Sequence, residues 1–180
     1  MASNFFHFTQ DWVNGELLEG LIVAAFGIAA VLIGVALWHY GKSPAARALV
    51  LPVIICGLAY TGIGLSLRIS ERGLTEKFRA EYQANPKTFI VKEKQRVEDF
   101  QYMYKISKAV ATVTFLATIL IFWLTKTPTW HAWGIGLSIF GLAGLLVDYF
   151  SQHRALEYYN AILAVLNGWQ LVYGLTTSSK

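Results

Sequence analysis

The sequence predicts an all-α integral membrane protein with four transmembrane helices, three of them long and continuing into a helical lobe on one side of the bilayer. Composition is the first reason. Of the 180 residues, 55% are hydrophobic and 14% charged, where a soluble domain carries roughly 25% charged residues. Clustering is the second. The apolar residues gather over about 17–40, 46–68, 106–125 and 129–148, each close to the roughly 20 residues a helix needs to cross a bilayer core. The third is the placing of proline. Ser43-Pro44, Asn85-Pro86 and Thr127-Pro128 each set a capping residue before a proline, the pattern of a helix start.

These starts fall 42 residues apart, and Asn167-Gly168 lies near the next interval as a helix-stop signal. The chain after residue 43 therefore predicts three helices over about 44–84, 86–126 and 128–167. At 1.5 Å per residue each is about 60 Å long, twice the hydrocarbon core. The apolar half comes first in one helix, second in the next and first in the last. Antiparallel packing then puts the polar halves, 69–105 and 149–180, together on one side as a lobe. They carry apolar stripes at helical spacing: Leu74, Phe78 and Tyr82; Ile90, Val97, Phe100 and Tyr104; Ala155, Tyr159, Ile162, Leu166 and Trp169. Such stripes form a core between helices. An alternative makes 155–173 a fifth span, burdened by Glu157, Asn160, Asn167 and Gln170, which are costly in lipid.

The first span is preceded by residues 1–16, where Phe5, Phe6, Phe8, Trp12 and Val13 suggest a segment lying along the membrane interface. Acids, not bases, precede its apolar run, unlike a cleavable signal peptide. Lys and Arg concentrate on the lobe side, against Lys42, Arg47 and Lys126 opposite. The positive-inside rule then predicts that the N-terminus and lobe are cytoplasmic, in an organism such as a bacterium in its inner membrane. Trp38, Trp123, Trp130 and Trp133 fall near the opposite face, where an aromatic belt is expected.

Within the spans, Gly20, Gly27 and Gly34 recur every seven residues, and Gly134, Ser138 and Gly141 make a second small-residue seam. Such seams let helices approach closely in lipid, either within one chain or in a homo-oligomer.

Candidate chemistry is sparse. Nine Lys+Arg lie between Arg68 and Lys105, but six acids lie among them, giving a mixed-charge surface with no nucleic-acid motif. One cysteine excludes an intrachain disulfide framework and any CxxC site. No catalytic or nucleotide-binding signature is present, and no catalytic residue or cofactor is expected. Where the helices leave the membrane, Arg68, Arg72, Lys108, Asp148 and Arg154 form a predicted polar junction, with Asp148 against Arg68 or Lys108 as the leading pair. Glu16, Glu19, His153 and Glu157 are the metal-ligand candidates there, although interleaved bases oppose a cation and the Glu-x-x-His spacing of di-iron bundles is missing. His39 and His131, at the far end, read as interfacial residues and not as haem ligands.

These features predict a non-enzymatic membrane protein that binds a protein partner through the lobe or the membrane seams, in a regulatory, accessory or toxin-immunity role. A small oligomeric channel or carrier is the second expectation, and a redox or metal-dependent membrane enzyme the third.

Overall fold

A computed structural model describes the backbone of residues 2–177 and the side chains of residues 5–169. Met1 and residues 178–180 of the predicted lobe lie outside the described residues. The protein is all-helical, with four helical stretches long and apolar enough to cross a membrane. α1 spans Ala2–Tyr40, α2 Pro44–Ser70, α3 Leu74–Ala84, α4 Pro86–Leu124 and α5 Pro128–Thr177.

Two of the proline starts act through side-chain caps. Ser43 Oγ accepts the Ala46 N–H at 3.1 Å and Asn85 Oδ1 accepts that of Thr88 at 3.0 Å. Each satisfies an amide that the first helical turn leaves unpaired, while proline at N1 has none to satisfy.

Three boundaries differ from the sequence expectation. Residues 5–16 do not lie along an interface. They are the first turns of α1, and Phe5, Trp12 and Val13 are buried in the lobe core. Their spacing of seven and eight residues puts them on one helical face, which finds partners on the other helices. The helix expected over 44–84 is broken at residues 71–73, where Gly73 takes φ 78°, a left-handed conformation that glycine adopts without a Cβ clash. Finally, Asn167-Gly168 does not stop α5. A lone glycine costs a helix only about 1 kcal/mol, and no proline follows to end it.

In the spans α1 packs along α2, α2 meets α5, and α4 packs chiefly on α5. The two glycine seams make these contacts. A Cβ built on Gly57 would lie 2.7 Å from Gly27 O and from Val31 N, and one built on Gly20 would lie 3.0 Å from Gly64 O. The stripe on α1 therefore mates with Gly57 and Gly64, one heptad apart on α2. On α5, Gly134 and Gly141 face Phe122 and Phe115 of α4, and Gly136 receives Pro52 of α2. Ser138 and Thr118 also meet across the α4–α5 contact, at 3.4 Å.

The lobe is a four-helix cluster made by α1, α3, α4 and α5. Its core holds Phe5, Val13, Phe78, Phe89, Ile90, Val97 and Ile162 around Tyr158. From α5, Tyr158 and Ile162 belong to this core, and Tyr159, Val165, Leu166 and Trp169 pack against it. Exposed aromatics mark both ends of the membrane region. Trp38, Tyr40, Trp123 and Trp130 ring one end, and Tyr102, Tyr149 and Phe150 the other. Trp130 and Tyr149 are 19 residues apart on one helix, or about 28 Å, which matches a core of about 30 Å.

Candidate functional site

The most polar buried region of the described residues is the boundary between lobe and spans. α1 brings Glu16 and Glu19 there, one turn apart on its inward face. α5 brings Arg154, whose Nη2 donates to Glu16 Oε1 at 3.2 Å and to Glu19 Oε2 in a close ion pair. The glutamate side chains are 7% and 9% exposed. Burying one carboxylate without a counter-charge is costly, so one guanidinium between two carboxylates is the arrangement that lets α1 and α5 close here. Gly15 makes room for it, since a Cβ there would sit 2.7 Å from Arg154 Cδ. Beside the pair, Tyr104 and Ser151 hydroxyls are 2.9 Å apart and buried, and Lys108 Nζ donates to Gln152 Oε1 at 2.9 Å.

Of the predicted junction residues, Arg154 is the one that bonds to buried acid. Asp148 forms no ion pair with Arg68 or Lys108, or with any other described residue, and its Oδ2 is buried without a hydrogen-bond partner. The α5 side chains that meet α1 near this depth are Arg154 and Tyr158, while Ser151 is turned to Tyr104 of α4 and Lys108 is taken by Gln152. Arg72 is exposed beyond the end of α2. Glu71, not among the predicted junction residues, also has a buried oxygen without a partner. Burial holds its carboxyl above the ordinary carboxylate range, and the charge on Glu16 adds to the effect.

The metal-ligand candidates are not brought together. Glu16 and Glu19 point inward to Arg154. His153 and Glu157 pair with each other at 3.4 Å on the outer face of α5, both 70% exposed. Among the described residues no group of three or more His, Cys, Asp or Glu is placed to hold a metal ion. At the far end His131 Nε2 lies 2.8 Å from Thr125 O and stacks on Phe122, while His39 is exposed.

A second network sits inside the lobe. Tyr158 OH donates to Glu93 Oε2 at 3.0 Å, and Thr9 donates to the Tyr158 oxygen at 3.1 Å. Arg96 grips Glu93 with two bonds of 2.9 and 2.7 Å and lies 4.3 Å above the Trp12 ring. This couples a fork-shaped ion pair to a cation–π contact. Burial, with the Glu93 charge beside it, pushes the Tyr158 phenol above its usual range. The sequence hint for this network was faint: Phe5, Thr9, Trp12, Glu16 and Gly20 repeat at helical spacing, but polar residues interrupt the apolar pattern.

The lobe surface shows a sorting of charge that linear sequence hid. Glu93 is buried, Glu71 half-buried, and Glu98 accepts from Lys94 and Tyr159 at 2.6 Å each. Between residues 72 and 92 the exposed charges are Arg72, Lys77, Arg79, Lys87 and Lys92 against Glu76, with Glu81 half-buried beside Lys92. The surface is thus basic at the α3–α4 tip and not evenly mixed. Comparison with protein-family models, curated proteins and solved structures finds no match for the chain.

Proposed function

We propose that this is a non-enzymatic membrane protein that binds an acidic surface of a protein partner through the tip of its lobe, in a regulatory, accessory or toxin-immunity role. We further propose that lobe and N-terminus face the cytoplasm of a bacterial inner membrane, since Lys and Arg are heavily biased to that side.

The basic tip carries this reading. Lys92 and Lys87 are 10 and 15 residues beyond Tyr102 of the lobe-side belt, about 15 and 22 Å along α4. Allowing about 5–8 Å for the headgroup layer beyond the belt, that leaves about one to two times the Debye length of about 8 Å in physiological salt. Lipid headgroups are largely screened at that distance, so these bases suit a partner that comes to the tip. The seams, by contrast, are occupied by contacts within the chain.

Two measurements test it. Reporters fused at Lys87 and at the C-terminus should share one side of the membrane, with a reporter at Lys42 on the other. Lys77→Glu with Lys92→Glu should abolish co-purification of a discrete partner from the source cells while the melting temperature stays put. Lys94 is left alone because it bridges Glu98. Equal partner yield from wild type and variant, or ion flux in liposomes without any partner, would turn the assignment toward the membrane region and a channel or carrier.

A further inference from the structure

A lateral groove of about 490 Å³ opens between α1 and α5 on the membrane side of the Glu19–Arg154 pair, within the roughly 300–1,000 Å³ of small-molecule sites. Its α1 wall is Leu18, Ile22 and Phe26, and its α5 wall is Ala143, Leu146 and Phe150. These α1 side chains descend about 12 Å from the boundary toward the bilayer centre. Tyr60 of α2 closes the back, its hydroxyl donating to Phe140 O. Leu18, Ile22, Leu146 and Phe150 are all outwardly exposed, so the groove faces lipid and not a sealed interior.

The two ends of the groove differ in chemistry. The walls are apolar throughout. The mouth holds the Glu19 carboxylate and the Arg154 guanidinium, level with the lobe-side aromatic belt. Glu19 and Arg154 are its charged lining residues and are ion-paired with each other, while Glu16 bonds the same guanidinium from behind. The mouth therefore offers both signs side by side.

We propose that this groove seats one bilayer phospholipid bearing an ethanolamine headgroup, its acyl chain between α1 and α5 and its primary ammonium donating to Glu19. A headgroup with both signs matches a mouth with both signs, the phosphate meeting the partly exposed edge of Arg154. Choline cannot donate a hydrogen bond to the carboxylate. An anionic glycerol headgroup has no cation to set against Glu19, and its net negative charge is repelled by that carboxylate. A fully apolar occupant would leave the charged mouth unused.

The test is native mass spectrometry of the full chain released from nanodiscs of equimolar phosphatidylethanolamine, phosphatidylcholine and phosphatidylglycerol. The wild type should retain one phosphatidylethanolamine at least fivefold above either of the others. Ala143→Phe, which fills the groove from the α5 wall, should lose that adduct with no change in melting temperature. Should Ala143→Phe fail to fold, Ile22→Trp fills the groove from the opposite wall and must lose the adduct likewise. Equal retention of the three headgroups, an adduct that survives the filled groove, or a dimer in place of the lipid would overturn the proposal.

Discussion

Arg154 is the position where a single substitution should be most informative. Arg154→Met keeps much of the side chain's apolar bulk and removes the one guanidinium shared by Glu16 and Glu19. Both acids stay buried, at 7% and 9% side-chain exposure, while Arg154 itself is 26% exposed. Breaking a buried pair on one side costs about 3–5 kcal/mol, because the remaining charge is left without compensation. The partial exposure of Arg154 lets water soften that cost, so the lower end, about 3 kcal/mol, is expected. For a chain of this length each kcal/mol is worth about 2–4 °C, which gives a melting temperature lower by about 6–12 °C. Thermal unfolding in one detergent, followed by tryptophan fluorescence, measures it. Adding Glu16→Gln and Glu19→Gln to Arg154→Met should recover most of the loss, since amides need no counter-charge. An unchanged melting temperature in Arg154→Met, or a loss that the two glutamines leave untouched, would refute the view that this pair closes α1 onto α5.

Three further outcomes are expected. Gly27→Ala should destabilise by about 1–3 kcal/mol, because its Cβ would lie 2.6 Å from Gly57 O, whereas Gly62→Ala, with nothing within 4 Å, should be neutral or gain up to about 1 kcal/mol of helix propensity; paired thermal melts compare them. Glu71→Gln should raise the melting temperature at pH 8. Burial raises the folded pKa of Glu71 above its unfolded value, so wild-type stability falls as pH rises past that range, and the two proteins should melt together near about pH 4. Asp148→Ala should leave the melting temperature unchanged or slightly higher, since it removes a buried oxygen without a partner; a fall of several degrees would reveal a basic partner for Asp148.

The spans and three helix starts were legible because each rests on a local rule: apolar length, or a capping side chain before proline. The lobe was legible in outline because stripes such as Leu74, Phe78 and Tyr82 declare a face without naming its partner. What stayed hidden depends on distance in sequence or on rotation about a helix axis. Nothing near Glu16 or Glu19 points to Arg154, which is 138 and 135 residues away. Asp148 was the plausible base-partner by depth in the membrane, yet depth does not fix the angle at which a side chain leaves its helix. The N-terminal turns were misread because Phe5, Phe6 and Phe8 look like an interface anchor when counted. Only Phe5 proves fully buried, and it takes its place in a row with Thr9, Trp12 and Glu16. Gly73 was visible all along, but a single glycine in a polar stretch does not say whether it bends the chain.

The pairing of the first helix with the last sets an order on biosynthesis. Glu19 leaves the ribosome 135 residues before Arg154, and at about 5–20 residues per second the interval is roughly 7–27 s. Through that interval the α1–α2 glycine seam can already close, since both its halves are made early. The two carboxylates, however, have no guanidinium to meet and must wait in water at the membrane edge. The nascent lobe is thereby kept open on its α1 side until the end of α5 arrives. A chain cut short before residue 154 would carry complete spans but leave Glu16 and Glu19 without the guanidinium that they share.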